Sequence, residues 1–198
     1  MKKYSIILAD PPWEYRVWSK KGAGRSAESH YPTMKLADIC ALPVADIADK
    51  DCALFLWVTF PLLPDAFKVI EAWGMTYRSV AFTWVKTCRK SDGWHIGMGH
   101  YTRANAEICL LAAKGSPKRV SKGIRQLIVS PVEEHSKKPD EARCRIVQLF
   151  GDIPRIELFA RRRADGWDAW GNEVEPDIIL KGERFFAENE HRTAQGTH

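Results

Sequence analysis

Continuously apolar runs alternate along this chain with segments whose apolar residues recur at helical spacing. Residues 6–9 and 52–58 are short apolar runs, which are typical of strands buried on both faces of a sheet. Residues 61–73 instead repeat apolar side chains on one helical face, and Gly74 follows as a stop signal. Further strands are predicted at 77–85, 106–113, 126–130, 155–160 and 167–174, and further helices at 33–41 and 139–150. This alternation predicts an α/β layered fold.

The predicted elements fit one domain. The chain has 198 residues, and single domains commonly hold roughly 100–200 residues. We assign residues 1–174 to this domain and interpret the polar residues 175–198 as a frayed C-terminal tail. Residues 86–105 form a long, polar, glycine-bearing connection, and a connection of that length is typical of a functional or disordered loop.

Composition excludes several classes of protein. The longest apolar stretch, 52–63, is too short to span a bilayer, and the N-terminus has no signal-peptide layout. A cytoplasmic, nucleoid-associated location without a membrane partner is therefore expected. The five cysteines lie far apart and form no C-x-x-C pair, and the histidines show no ligand spacing, so neither a disulfide framework nor a metal site is predicted.

Positive charge is concentrated in two stretches of the chain. The net charge is only +5, but residues 15–27 contain no acidic residue and carry four basic ones: Arg16, Lys20, Lys21 and Arg25. Residues 114–145 hold nine Lys or Arg against four Asp or Glu. Basic loops with interleaved aromatic side chains suit a surface that follows phosphates and stacks bases. The ordinary solvated surface of a basic protein explains the composition equally well.

The most informative motif is Asp10-Pro11-Pro12-Trp13, directly after the first predicted strand. The strand delivers a carboxylate to its carboxyl end, where ligands bind in open α/β sheets. Two prolines stiffen the following turn and leave carbonyl oxygens without competing donors of their own. Asp10 and the Pro11 carbonyl are suited to accept both hydrogens of an exocyclic amine while the ring stacks on Trp13. The alternative is an ordinary turn with Trp13 packed into the core.

A second group of polar residues lies near the other end of the domain. Lys138 precedes a predicted helix N-terminus and favours a carboxylate ligand, although a well-capped helix has the same pattern. Glu157 lies inside an apolar strand, and a ligand or a nearby arginine would explain so costly a buried carboxylate. Asn172 and Glu173 follow a glycine and suit a ribose diol. Together these groups fit S-adenosylmethionine.

Six motifs occur in order: D-P-P-W (10–13), F-L-W-V-T (55–59), W-V-K-T (84–87), K-P-D-E (138–141), I-E-L-F-A-R (156–161) and W-G-N-E (170–173). The chain thereby resembles the MT-A-seventy family of adenine-N6 methyltransferases over roughly residues 4–174. A colinear series is more specific than any one of its members. The resemblance implies a single-domain Rossmann-like methyltransferase fold with a mostly parallel sheet, in which the catalytic motif precedes the cofactor strand.

The resemblance also implies roles for individual residues. Asp10, Pro11, Pro12 and Trp13 would form the catalytic loop, and Asp10 would also meet the cofactor. Tyr31 would line the pocket for the target base. Lys138 would meet the methionine carboxylate of S-adenosylmethionine. The nucleoside part would be surrounded by Glu157, Phe159, Arg161, Asn172 and Glu173.

Three departures from the family pattern affect these expectations. Arg163-Ala164 stands where members often carry His-Asn, so adenine recognition by the cofactor site can differ. Glu173 replaces the Gln of the eukaryotic enzyme and still suits a ribose. The long N-terminal extension of eukaryotic members is missing, which implies that their RNA-targeting segments are missing too.

The leading hypothesis is S-adenosylmethionine-dependent methylation of the adenine N6 amine in nucleic acid, with DNA favoured over RNA. The alternatives are a catalytically silent nucleic-acid-binding subunit, an RNA adenosine methyltransferase, and a methyltransferase for a protein or free nucleotide. The intact D-P-P-W argues against the silent subunit, and the basic segments argue against the last alternative. A homodimer is compatible with the sequence.

Overall fold

The computed structural model describes residues 2–14, 33–99, 101–133 and 137–180. Seven strands in these ranges form one sheet: β1 (Tyr4–Ala9), β2 (Ala48–Val58), β3 (Thr76–Thr87), β4 (Ala106–Lys114), β5 (Leu127–Pro131), β6 (Arg155–Leu158) and β7 (Asp168–Trp170). Their order across the sheet is β5-β3-β4-β2-β1-β6-β7. β4 runs antiparallel to both of its neighbours, and the other four pairings are parallel. The α/β class is therefore confirmed, with a mixed sheet.

Helices cover both faces of the sheet. α1 (Leu36–Ala41) and α2 (Leu63–Ala72) pack on one face, and α3 (Asp140–Phe150) packs on the other. The apolar run at 52–58 explains this layering, because successive side chains of a strand point to opposite faces. Leu54 and Leu56 belong to the core below α1 and α2, whereas Phe55 and Trp57 belong to the core below α3.

The topology creates a crevice between β1 and β6. The chain leaves β1 for β2 on one side and leaves β6 for β7 on the other side, while β1 and β6 are parallel neighbours. In open α/β sheets, ligands bind outside the carboxyl ends of the strands at such a reversal of direction. A ligand site is therefore expected at the carboxyl ends of β1 and β6.

Several element boundaries differ from the sequence prediction. α1 begins at Leu36 rather than at Thr33, and its N-cap residue, Lys35, makes no side-chain capping bond. A 3-10 turn at Phe60–Leu62 precedes α2 and replaces the first turn of the predicted helix. β6 ends at Leu158 because Phe159 adopts a left-handed backbone with φ 63°, which leaves the strand.

The described chain stays packed beyond residue 174. Ile178 is 9% exposed and Leu180 is fully buried, and both belong to the core below α1 and α2. The carboxylate of Asp177 accepts hydrogen bonds from the Ala169 amide at 2.8 Å and from Arg163 at 3.0 Å. Residues 175–180 therefore pack against the rest of the described chain, because the side chains at 178 and 180 reach its core, while the division of the chain at residue 174 stays a prediction. Within the described ranges, no helix has the length and apolar character needed to cross a membrane.

We predict that Leu180→Ala destabilises the fold by about 2–5 kcal/mol, the usual range for truncating a buried leucine. Ile179, which is 66% exposed, provides the matched control. Ile179→Ala should change the free energy of unfolding by less than about 0.5 kcal/mol. Urea denaturation of both variants measures the difference, and equal stabilities would show that residue 180 does not contribute to the core.

Candidate active site

Polar residues from four segments surround the β1–β6 crevice. Asp10 directly follows β1, and Lys138 lies two residues before α3. The segments after β6 and β7 contribute Phe159, Arg161, Asn172 and Glu173. Arg161 lies close enough to Asp10 for its charge to favour the ionised carboxylate. The predicted site residues that the structure describes therefore come from positions up to 163 apart in sequence and converge on one edge of the sheet.

The turn after Asp10 is held by backbone hydrogen bonds. The Trp13 amide donates to the Pro11 carbonyl at 2.8 Å, and the Met34 amide donates to the Pro12 carbonyl at 2.8 Å. The prediction that these carbonyls meet no competing donor is therefore wrong. A carbonyl oxygen has two lone pairs, so Pro11 keeps the capacity to accept one more hydrogen bond.

Trp13 packs into the core below α1 and α2. Trp13 is only 6% exposed, and its indole N–H donates to the Trp57 carbonyl at 3.1 Å. Trp and Tyr usually find such a partner when they are buried. This geometry favours the packing alternative for Trp13 over stacking on a base, and it ties the D-P-P-W turn to β2.

A chain of alternating charges runs from Asp10 into the protein. The Lys138 ammonium contacts Asp10 at 2.8 Å and Glu107 at 3.0 Å, and the second Glu107 oxygen contacts Lys86 at 2.8 Å. The side chain of Glu107 is 7% exposed and that of Lys138 is 12% exposed, whereas that of Asp10 is 32% exposed. The network therefore opens to solvent at Asp10, at the mouth of the crevice. The ring of Trp57 lies 5.9 Å from the Lys138 ammonium and forms part of its apolar wall.

Burial and mutual attraction set the protonation of this network. Burial raises the pKa of Asp10, and the Glu107 carboxylate adds to the rise, while Lys138 opposes it. Burial alone would also raise the pKa of Glu107, but Lys138 and Lys86 outweigh it and hold that pKa below its ordinary value. Burial opposes the charged form of Lys138, yet Asp10 and Glu107 together raise its pKa. Lys138 and Glu107 are thus ionised at neutral pH, and Asp10 is the carboxylate that is easier to protonate.

The buried carboxylate of Glu157 has an arginine partner. Arg143 of α3 donates to both Glu157 oxygens, from Nε and from a terminal nitrogen, each at 2.7 Å. This is the bidentate geometry that makes arginine–carboxylate pairs strong and specific. Of the two explanations left open for Glu157, the structure therefore shows the nearby arginine. The pair joins α3 to β6 below the crevice.

The segments after β6 and β7 lie against each other. The Ala160 amide donates to the Trp170 carbonyl at 3.0 Å, and the rings of Phe159 and Trp170 meet edge to face at 5.5 Å. Any Cβ at Gly171 would come within 2.1 Å of the Ala160 carbonyl oxygen, so only glycine fits there. The left-handed backbone of Phe159 adds a strained residue, and such residues cluster at ligand sites.

This pair of segments presents polar groups to the crevice. The Arg161 guanidinium lies 3.7 Å from the Glu173 carboxylate, and both side chains remain partly exposed. Asn172 is exposed beside them. Hydrogen-bond donors and acceptors on adjacent rigid segments suit a ribose diol, and the apolar face of Phe159 suits a planar ring. The residues predicted from the second half of the motif series are therefore brought together.

Five predicted residues cannot be placed in this site. Tyr31 and the four basic residues of the predicted phosphate-following loop lie outside the described residues: Arg16, Lys20, Lys21 and Arg25.

Sequence reasoning missed Glu107, Lys86 and Arg143. A signal for Glu107 existed, because it is a carboxylate inside the apolar run 106–113, just as Glu157 is a carboxylate inside an apolar strand. Its partners could not be read from sequence, since Lys86 and Lys138 reach it from two other segments of the chain.

Comparison with known proteins identifies the family of this chain. The family model described as MT-A70 matches residues 4–173. The Type II methyltransferase M.MunI of a Mycoplasma species is 35% identical over 193 residues, which cover 89% of this chain and 79% of that protein. Human METTL3, an N(6)-adenosine-methyltransferase catalytic subunit, is 29% identical over 90% of this chain, which spans only 30% of METTL3. A Drosophila melanogaster MT-A70-like N(6)-adenosine-methyltransferase is 30% identical and is likewise covered over 30% of its length. The resemblance noted in the sequence is thus confirmed: the chain belongs to the MT-A70 family of methyltransferases.

Proposed function

We propose that this protein transfers a methyl group from S-adenosylmethionine to the N6 amine of adenine in nucleic acid, with DNA favoured over RNA. The observation that carries the proposal is the Asp10 carboxylate at the mouth of the β1–β6 crevice, held by Lys138 at 2.8 Å. We favour DNA because the chain covers only 30% of METTL3, whose name specifies adenosine, a ribonucleoside, whereas it covers 79% of the Type II methyltransferase M.MunI, whose name specifies no ribonucleoside.

The adenine amine needs help because its lone pair is delocalised into the ring. In the described residues, the Asp10 oxygen that has a partner is Oδ2, which accepts from Lys138. Oδ1 and the remaining lone pair of the Pro11 carbonyl are suited to accept the two amine hydrogens. Holding both hydrogens directs the nitrogen lone pair out of the ring plane, so catalysis comes from positioning and electrostatics.

The proton is removed after transfer. The methylated nitrogen is cationic and therefore acidic, so a carboxylate can take its proton without being a strong base. Asp10 has a pKa raised by burial and by Glu107, which improves it as the acceptor. The proton then passes to solvent, because the half-buried Asp10 is the most exposed of the four members of the charge network.

The crevice has features that fit S-adenosylmethionine. When bound, the cofactor supplies an activated methyl group on a sulfonium centre. We propose that Arg161, Asn172 and Glu173 hold its ribose, that Phe159 packs against the nucleoside, and that Lys138 faces its carboxylate. The close approach at Gly171, where a Cβ would lie 2.1 Å from the Ala160 oxygen, keeps the two ribose-holding segments together. Glu157, paired with Arg143, supports this wall from below.

We further propose that the fold is a Rossmann-like methyltransferase sheet with a permuted order of motifs. β1, which carries the D-P-P-W turn, precedes β6 in sequence and lies directly beside it in the sheet. Such adjacency places the catalytic turn next to the cofactor segments although the catalytic motif comes first.

The activity is tested with labelled S-adenosylmethionine and single- and double-stranded DNA and RNA oligonucleotides, followed by nucleoside mass spectrometry. N6-methyladenine in DNA alone supports the proposal in full, and N6-methyladenine in RNA alone assigns the RNA alternative. Nucleic-acid binding without any transfer would instead support a catalytically silent subunit.

We predict that Asp10→Ala abolishes methyl transfer while it changes the Kd of S-adenosylmethionine by less than about tenfold, or roughly 1.4 kcal/mol. The reason is that Asp10 acts on the amine, whereas several other residues hold the cofactor. Asp46→Ala is the matched control, because Asp46 is exposed at the amino end of β2, away from the crevice. Turnover in Asp10→Ala that equals turnover in Asp46→Ala would contradict the proposed role.

We predict that Lys138→Ala raises the Kd of S-adenosylmethionine, because it removes the ammonium that we place against the cofactor carboxylate. Isothermal titration calorimetry measures this change. Lys50→Ala, an exposed lysine at the amino end of β2, should leave the Kd as it is. A Kd unchanged in both variants would restrict Lys138 to its contacts with Asp10 and Glu107.

We predict that alanine at Arg16, Lys20, Lys21 and Arg25 together weakens DNA binding and flattens its dependence on salt. Each neutralised phosphate contributes about 0.9 to the slope of log affinity against log salt concentration for duplex DNA. Binding titrations at several salt concentrations measure the slope. The same slope is measured for a matched variant with alanine at Lys118, Arg119, Lys122 and Arg125. A slope that falls only in this second variant would move the phosphate-binding surface there.

A further inference from the structure

Glu107 is a buried charge that the proposed chemistry does not yet use. It lies on β4, and its side chain is 7% exposed. An isolated carboxylate at such depth is strongly unfavourable, so buried charges persist in proteins when they are paired. Glu107 has two partners, Lys86 at 2.8 Å and Lys138 at 3.0 Å, one on each oxygen.

The geometry makes Lys138 a bridge between the two carboxylates. Its ammonium contacts Glu107 at 3.0 Å on the inner side and Asp10 at 2.8 Å on the outer side. A lysine side chain has a flexible four-carbon stem, so its ammonium keeps one position only where its partners hold it. Lys86 fixes Glu107 in turn, and its own ammonium lies 4.8 Å above the Trp84 ring. The chain of contacts therefore starts at a rigid strand pair and ends at the reactive turn.

We propose that Glu107 is a positioning residue for methyl transfer: it anchors the Lys138 ammonium so that Lys138 holds Asp10 in the orientation that accepts the adenine amine. Glu107 does not touch the substrate, since Lys138 lies between it and Asp10. This inference rests on the proposed function, because Asp10 is given its role there.

Glu107→Gln tests the inference, because glutamine keeps the shape of the side chain and removes its charge. Without the anchor, a misplacement of Asp10 by about 1 Å would lower kcat by about 100-fold. The Kd of S-adenosylmethionine should not rise, in contrast to Lys138→Ala, since Glu107 does not face the cofactor. Glu141→Gln is the matched control, because Glu141 pairs with Arg145 on the exposed side of α3. That control should keep wild-type kcat.

A second readout separates positioning from a general loss of structure. Removal of the Glu107 charge alone lowers the pKa of Asp10, whereas release of Lys138 raises it, and the Lys138 effect is the larger of the two. Loss of the anchor should therefore raise the pKa of Asp10 and move the acidic limb of the kcat profile to higher pH. A lowered pKa would show loss of charge without release of Lys138 and would overturn the inference. Carbon-13 NMR titration of the Asp10 carboxyl measures the same shift without turnover. Loss of kcat together with an unchanged Asp10 titration would overturn the inference, and so would wild-type kcat in Glu107→Gln.

Two outcomes need a further variant or readout. If circular dichroism shows that Glu107→Gln does not fold, Glu107→Asp carries the test, because it keeps the charge but is one methylene too short to span both lysines. It should lower kcat and raise the pKa of Asp10, because the charge stays while the contact with Lys138 is weakened, and wild-type kcat in this variant would overturn the inference. If the wild-type protein transfers no methyl group, the proposed function fails, and the NMR titration still decides the inference: an Asp10 pKa unaffected by Glu107→Gln overturns it.

Discussion

The Lys138 ammonium is the charge around which the site is arranged. It joins the end of β1, the strand β4 and the segment before α3, which are far apart in sequence. A buried ammonium is unfavourable without counter-charges, so Lys138 needs both carboxylate partners. Lys138 also orients these two carboxylates. The same pairing sets their protonation, since it opposes the rise in the pKa of Asp10 and holds the pKa of Glu107 low. The positions and the protonation of Asp10 and Glu107 therefore both depend on the Lys138 ammonium.

A second ion pair completes the support of the site from below. Arg143 joins the first turns of α3 to Glu157 on β6, just as Lys138 joins the segment before α3 to β1. The start of α3 is consequently held against both strands that border the crevice. Since β1 and β6 are also hydrogen-bonded neighbours, the D-P-P-W turn and the segment after β6 leave adjacent strands. Under the proposed function, this shared base would keep the alignment that methyl transfer requires.

The sequence was sufficient where local pattern determines structure. The apolar runs at 6–9 and 52–58 predicted two central strands, and Asp10 lies at the end of the first of them, as predicted. It was insufficient where partners come from distant segments. Glu107 meets Lys138 only because β4 lies antiparallel beside β2, and no local pattern gives that pairing. The end of β6 depends on the left-handed backbone of Phe159, which no propensity of phenylalanine predicts. The contribution of Leu180 to the core was hidden because the apolar run 178–180 is only three residues long and lies within a polar segment.

The burial of Trp13 changes how adenine would be recognised. With its indole N–H bonded to the Trp57 carbonyl, this residue fixes the turn against β2 rather than offering a free face to a base. Recognition at the turn then depends on the acceptors, namely Asp10 and the Pro11 carbonyl. When a bound substrate covers such acceptors, a substrate that lacks the matching N–H groups is rejected far more strongly than by an apolar or stacking surface, because the covered acceptors are left without partners. Under the proposed function, selection for an exocyclic amine would therefore rest on the acceptors of the turn, and Trp13 would contribute by holding the turn against β2.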